Sequence, residues 1–160
     1  MGNYLNPDNE KFIQAINSEI YVDKTELIGY TNKVLNTMQR YVCVSRPRRF
    51  GKSMAADMLT AYYSKGCNSE KLFKNLKITQ DESFSKYLNR YDTIFINMQE
   101  FLSQSTDMNE MLALLQKTVL WDLLEIYPDF RYFDSTNLAR TMQDIYGIIQ
   151  DKRRIAHGTD

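Results

Sequence analysis

The string Ser45-Arg46-Pro47-Arg48-Arg49-Phe50-Gly51-Lys52-Ser53 constrains this chain more than any other feature. It follows Tyr41-Val42-Cys43-Val44, a β-prone run without helical period that reads as a buried strand, parallel in its sheet. It precedes a segment in which Met54, Met58, Leu59 and Tyr62 share one helical face, predicted to run to about Lys65 with Gly66 ending it. Strand, basic glycine-containing loop and helix, in that order, form the setting that a phosphate-binding loop requires. The first turn of a helix carries unpaired N–H groups and the positive end of the helix dipole, and both attract phosphate. Gly51 lets the backbone approach without a Cβ, Lys52 can reach β- and γ-phosphates, and the Ser53 hydroxyl suits a Mg²⁺ bridging them.

The match to G-x-x-x-x-G-K-[ST] is incomplete, because Arg46 stands where the first glycine falls. Pro47 biases Arg46 to extended backbone and offers no N–H, so the turn is assigned to residues 48–51. The backbone donors are then Phe50, Gly51, Lys52 and Ser53, with Arg48 and Arg49 adding positive charge. The expected site is therefore Arg48, Arg49, Phe50, Gly51, Lys52 and Ser53, holding nucleotide phosphates and Mg²⁺, with Ser53 meeting the metal through the nucleotide. A second reading is a basic-loop module that uses Arg46, Arg48 and Arg49 to bind nucleic-acid phosphate or a protein, without nucleotide.

The remaining chain supplies a frame for this loop. Helices are predicted over residues 8–18, 24–36 with Asp23 as N-cap, 69–76, 82–89 and 107–127 with Asp107 as N-cap. A last helix starts at Asp134 or Ser135 and runs to about Gln150. Residues 93–98 read as a second buried strand. Strands separated by helices predict an α/β fold, here a partial P-loop sandwich with a short parallel sheet from 41–45 and 93–98, flanked by helices. The expected organisation is an N-terminal helical segment over 1–40, a P-loop domain over 41–150 and a polar tail over 151–160.

Composition excludes several classes. Twenty basic and twenty acidic residues in 160 leave no net charge, which argues against coating nucleic acid by bulk electrostatics. Cys43, expected inside the first strand, and Cys67, expected in a surface loop, make no disulfide framework, and with His157 they make no zinc site. Residues 1–10 are polar and lack a signal-like apolar run. Residues 108–126 carry Glu110, Lys117, Asp122 and Glu125, too many charges for a membrane span. The expected location is the cytoplasm, with no membrane partner.

Tyr21-Val22-Asp23-Lys24-Thr25, the string from Ser45 to Ser53, and Met58-Leu59 with Ala61-Tyr62-Tyr63 resemble the AAA-ATPase-like family of bacterial proteins, through about residue 145. That family's Walker A loop has the same Arg-Pro-Arg-Arg-Phe-Gly-Lys-Ser form, so the resemblance implies ATP binding at Lys52. Members often carry a PD-(D/E)xK nuclease-like domain after the P-loop module. In P-loop ATPases of related type the segment before the P-loop strand lies near the adenine, so the resemblance implies nucleotide contact at Asp23, Lys24 and Thr25, against the plainer reading of a helix start capped by Asp23. It also implies a Walker B strand, ending in an Asp-Glu-Tyr-Asp type sequence, after the helix that matches 137–150. The chain reads Asp151-Lys152-Arg153-Arg154-Ile155-Ala156-His157-Gly158-Thr159-Asp160 there. Residues 93–98 carry the amide Asn97 where an Asp is wanted, with Glu100 beyond the strand, and read as a core strand and not as a substitute. The expectation is an N-terminal fragment or truncated relative that binds nucleotide without the acids for hydrolysis. It would expose an apolar groove or sheet edge for a protein partner or the missing C-terminal part.

Overall fold

The computed structural model describes residues 2–128, 137, 138 and 140–143. Seven α-helices and one 3-10 turn are named among them, and the two expected strands do not form. The described residues divide into two compact units, Asn3–Phe95 and Gly2 with the residues from Ile96 onward.

In the first unit the apolar spacing of the sequence produces short helices around one aromatic core. Helix α1 spans Glu10–Ile16, α2 spans Glu26–Val34, α3 spans Lys52–Tyr63 and α4 spans Glu70–Phe73. A 3-10 turn at Lys77–Gln80 and helix α5 at Phe84–Tyr87 complete it. Met58, Ala61 and Tyr62 of α3 fall at helical spacing, and they are buried together with Phe12 of α1, Ile28, Phe73 and Ile78. The Phe12 and Phe73 rings stack at 5.1 Å, and the Tyr62 ring meets Phe73 edge-on at 5.7 Å. These offset and T-shaped arrangements are the ones that aromatic quadrupoles favour.

A polar knot locks α2, α3 and α5 over that core. Asn32 Nδ2 donates to Tyr62 Oη at 3.0 Å and to Ser83 Oγ at 2.9 Å. Tyr62 Oη donates to the Phe84 carbonyl at 2.8 Å, and Tyr63 Oη donates to Asn32 Oδ1 at 2.6 Å. Burial pushes the Tyr62 phenol up to about 12, with the Asn32 amide acting against it, and burial also raises Tyr63.

The expected α/β P-loop sandwich is not found. Among the described residues there are only isolated β-bridges and no strand. A strand requires a neighbouring backbone to complete its ladder. Residues 41–44 have no such neighbour and are exposed, Tyr41 at 83 %. Residues 93–95 pair instead with the chain's own start. Asn6 N donates to Thr93 O at 2.7 Å and Phe95 N donates to Tyr4 O at 2.9 Å, on either side of an antiparallel bridge between Leu5 and Ile94. Met98, the expected end of that strand, begins a helix. An apolar run reports a preference for burial but not the partner that makes it a strand.

Two smaller corrections follow. Helix α3 stops at Tyr63, so Gly66 does not end it. Its role is close approach: a Cβ there would lie 2.3 Å from the Asn6 carbonyl oxygen. Beside it, Ser64 Oγ and Cys67 Sγ both donate to the Pro7 carbonyl, at 3.0 and 3.3 Å. Cys67 is thus half-buried, its thiol pKa raised by desolvation, whereas Cys43 is exposed.

In the second unit, α6 spans Met98–Ser103 and α7 spans Met108–Ile126, and the two helices pack together. Asp107 caps α7 as expected, its Oδ1 accepting from Glu110 N at 2.9 Å. Met111, Val119, Leu120 and Leu123 form the buried stripe, while Trp121 is 61 % exposed. The expected last helix falls mostly outside the described residues, of which 138 and 140–143 are helical. The polar tail over 151–160 lies outside them entirely. No helix among the described residues is long and apolar enough to cross a membrane.

Candidate anion site at the start of helix α3

Helix α3 begins without a side-chain cap. Its N-cap is Gly51, at φ 75°, and its first backbone bond is Ala55 N to Gly51 O at 3.0 Å. The N–H groups of the first turn therefore have no partner from a capping side chain, and the positive end of a twelve-residue helix faces the loop before it. The loop reaches that point through a turn at Arg48 and Arg49, with Arg49 also left-handed at φ 67°. Holding a non-glycine residue there costs roughly 1–2 kcal/mol, a strain that tends to collect at functional sites.

The Lys52 side chain folds back over its own loop. Its Nζ donates to the carbonyl oxygens of Arg46 at 2.5 Å and Pro47 at 3.1 Å. From the other side, Lys24 Nζ donates to the Phe50 carbonyl at 3.0 Å. The segment that presents Lys24 is held firmly. Asp23 accepts from Thr25 N, Thr25 Oγ1 and Lys77 N at 2.9, 2.7 and 2.8 Å. Buried Thr25 in turn accepts from Ile78 N at 3.1 Å. Burial acts upward on the Asp23 carboxyl, but the bonds from Thr25 and Lys77 outweigh it and hold its pKa below the usual range. Asp23 does not cap α2, as the sequence predicted; Thr25 is the N-cap residue.

These two segments enclose a cavity of about 450 Å³. Asp23, Lys24, Glu26 and Leu27 line one part of it, and Val44, Arg46, Phe50, Gly51, Lys52 and Ala55 the rest. Of the six residues picked from the sequence, Phe50, Gly51 and Lys52 line the cavity, while Arg48, Arg49 and Ser53 do not. Asp23 and Lys24 of the earlier segment join them, and Thr25 does not. Glu26, Leu27, Val44 and Ala55 carried no sequence signal, being ordinary helix or strand residues until the fold sets them beside the loop.

A family model described as Predicted AAA-ATPase matches residues 10–155. The chain belongs to the AAA-ATPase-like family. No curated protein and no solved structure matches it. In this AAA-ATPase-like chain the cavity residues all fall inside the matched span.

The donor set suits a phosphate chain. Two ammonium groups rest on neutral carbonyls beside an open helix N-terminus, in a cavity of the size that holds small ligands. Among the described residues of this AAA-ATPase-like chain, no three His, Cys, Asp or Glu side chains cluster as a metal cage. Mg²⁺ that binds mainly through phosphate oxygens, with one or two protein oxygens, would need no such cage.

Proposed function

We propose that this AAA-ATPase-like chain binds ATP, or another purine nucleoside triphosphate, with Mg²⁺ in the cavity at the start of α3. The observation that carries the reading is the placement of Lys52 Nζ on the Arg46 and Pro47 carbonyls at the uncapped N-terminus of the helix. A bound phosphate offers that ammonium a charged acceptor in place of neutral ones, which adds attraction between opposite charges to each hydrogen bond. The N–H groups of the first turn and Gly51, which carries no Cβ, supply the remaining contacts. Ser53, exposed in the first turn, would hold the metal through the nucleotide, and the metal would offset charge between phosphates.

Calorimetric titration of the chain with ATP and Mg²⁺ tests this. One site is expected, lost in Lys52→Ala and weakened when Mg²⁺ is chelated. A folded sample that takes up no ATP contradicts it. Salt-sensitive retention of DNA that ATP does not compete would instead assign the exposed Arg48 and Arg49 to nucleic-acid phosphate.

A further inference from the structure

The Lys24 ammonium has no carboxylate of the described residues within ion-pair distance at this cavity. Its flanking carboxylates are engaged elsewhere: Asp23 accepts from Thr25 and Lys77 N, and Glu26 pairs with the Lys77 ammonium at 3.3 Å. No ion pair involves Lys24 among the described residues, and its Nζ bonds only the neutral Phe50 carbonyl. Lys52 is in the same condition on the Arg46 and Pro47 carbonyls. Both lysines line one cavity, and Lys24 Nζ stands 2.9 Å from the position of a Cβ on Gly51, at the mouth of α3. The backbone behind Lys24 is fixed by the Asp23–Thr25–Ile78 bonds, so this cation is presented rather than free to wander.

We propose that Lys24 is a second phosphate-binding cation of the site. It would share the charge of a polyphosphate with Lys52 and exchange the Phe50 carbonyl for a phosphate oxygen. The inference rests on the reading of the cavity as a triphosphate site. Two ammonium groups held on neutral acceptors around one turn match an anion of at least two charges better than a single carboxylate.

The test is calorimetric titration of the full chain with ATP and Mg²⁺, in wild type, Lys24→Arg, Lys24→Gln, Lys24→Met and Lys52→Ala. Glutamine keeps an N–H donor for the Phe50 carbonyl but removes the charge, and methionine removes both. Lys24 is exposed, and circular dichroism should report an unchanged fold. Loss of a charge-assisted bond predicts about tenfold weaker ATP binding in both Lys24→Gln and Lys24→Met, with Lys24→Arg close to wild type. Wild-type affinity in Lys24→Gln overturns the proposal, because Lys24 would then only tether the loop. Wild-type affinity in Lys24→Met overturns it as well. Loss of binding in Lys52→Ala alone leaves the nucleotide reading standing and removes Lys24 from it; no binding by the wild-type chain removes both.

Discussion

Gly51 shows how much one residue decides. Its φ of 75° is left-handed, and a Cβ there meets only the far end of the Lys24 side chain, at 2.9 Å. Lys24 can move, so the cost of Gly51→Ala is backbone strain, about 1–2 kcal/mol. Urea unfolding should show that loss, with the slope unchanged. Tyr62 and Tyr63, together with Tyr21, weaken the fold at alkaline pH. Burial raises the folded Tyr62 phenol from 10.0 to about 12, so above pH 10 the unfolded chain releases protons that the folded one keeps. Stability contributed by the Tyr62 phenol is complete below pH 10 and is lost as pH rises toward 12. Melting temperatures should fall over that window, and less steeply in Tyr62→Phe. The residue-scale features of the loop were legible in the sequence, since Lys52 and Gly51 carry their chemistry in their side-chain type. Lys24 was legible only as part of a short string, because its contact with Phe50 bridges 26 residues.

At the scale of elements, local signals succeeded and long-range pairing did not. Asp107 was readable as the N-cap of α7, and the structure adds Glu110, whose Oε2 accepts from Thr106 N at 2.7 Å and Thr106 Oγ1 at 2.6 Å. This is a capping box displaced by one residue toward the N-terminus. Those two bonds hold the Glu110 carboxyl below its usual pKa. Asp107→Ala should destabilise α7 by about 1 kcal/mol, read as lost helicity and a lower urea midpoint. Helices α1, α2 and α3 likewise followed from apolar spacing that is complete within ten or so residues. The failed strands have the opposite character. Val42 and Val44 favour extended backbone, but nothing in their own sequence names a partner, and residues 93–95 found theirs at residues 4–6. A parallel sheet was the inference from alternating elements, and alternation does not specify hydrogen bonds.

At the scale of the whole molecule, family membership over residues 10–155 and the arrangement of Lys24, Lys52 and the start of α3 support one reading, a polyphosphate site. That reading does not depend on the sheet, since the cavity is bounded by α2, the loop and α3. A ligand that binds only the folded chain stabilises it by mass action, about 2.7 kcal/mol at a hundred times its Kd. The most direct measurement is the melting temperature of the chain as ATP is raised at fixed Mg²⁺, beside Lys52→Ala. The account predicts a rise that grows with the logarithm of ATP concentration in the wild type and is absent in Lys52→Ala. A cooperative melt that ATP does not move in the wild type, or moves equally in both, contradicts it.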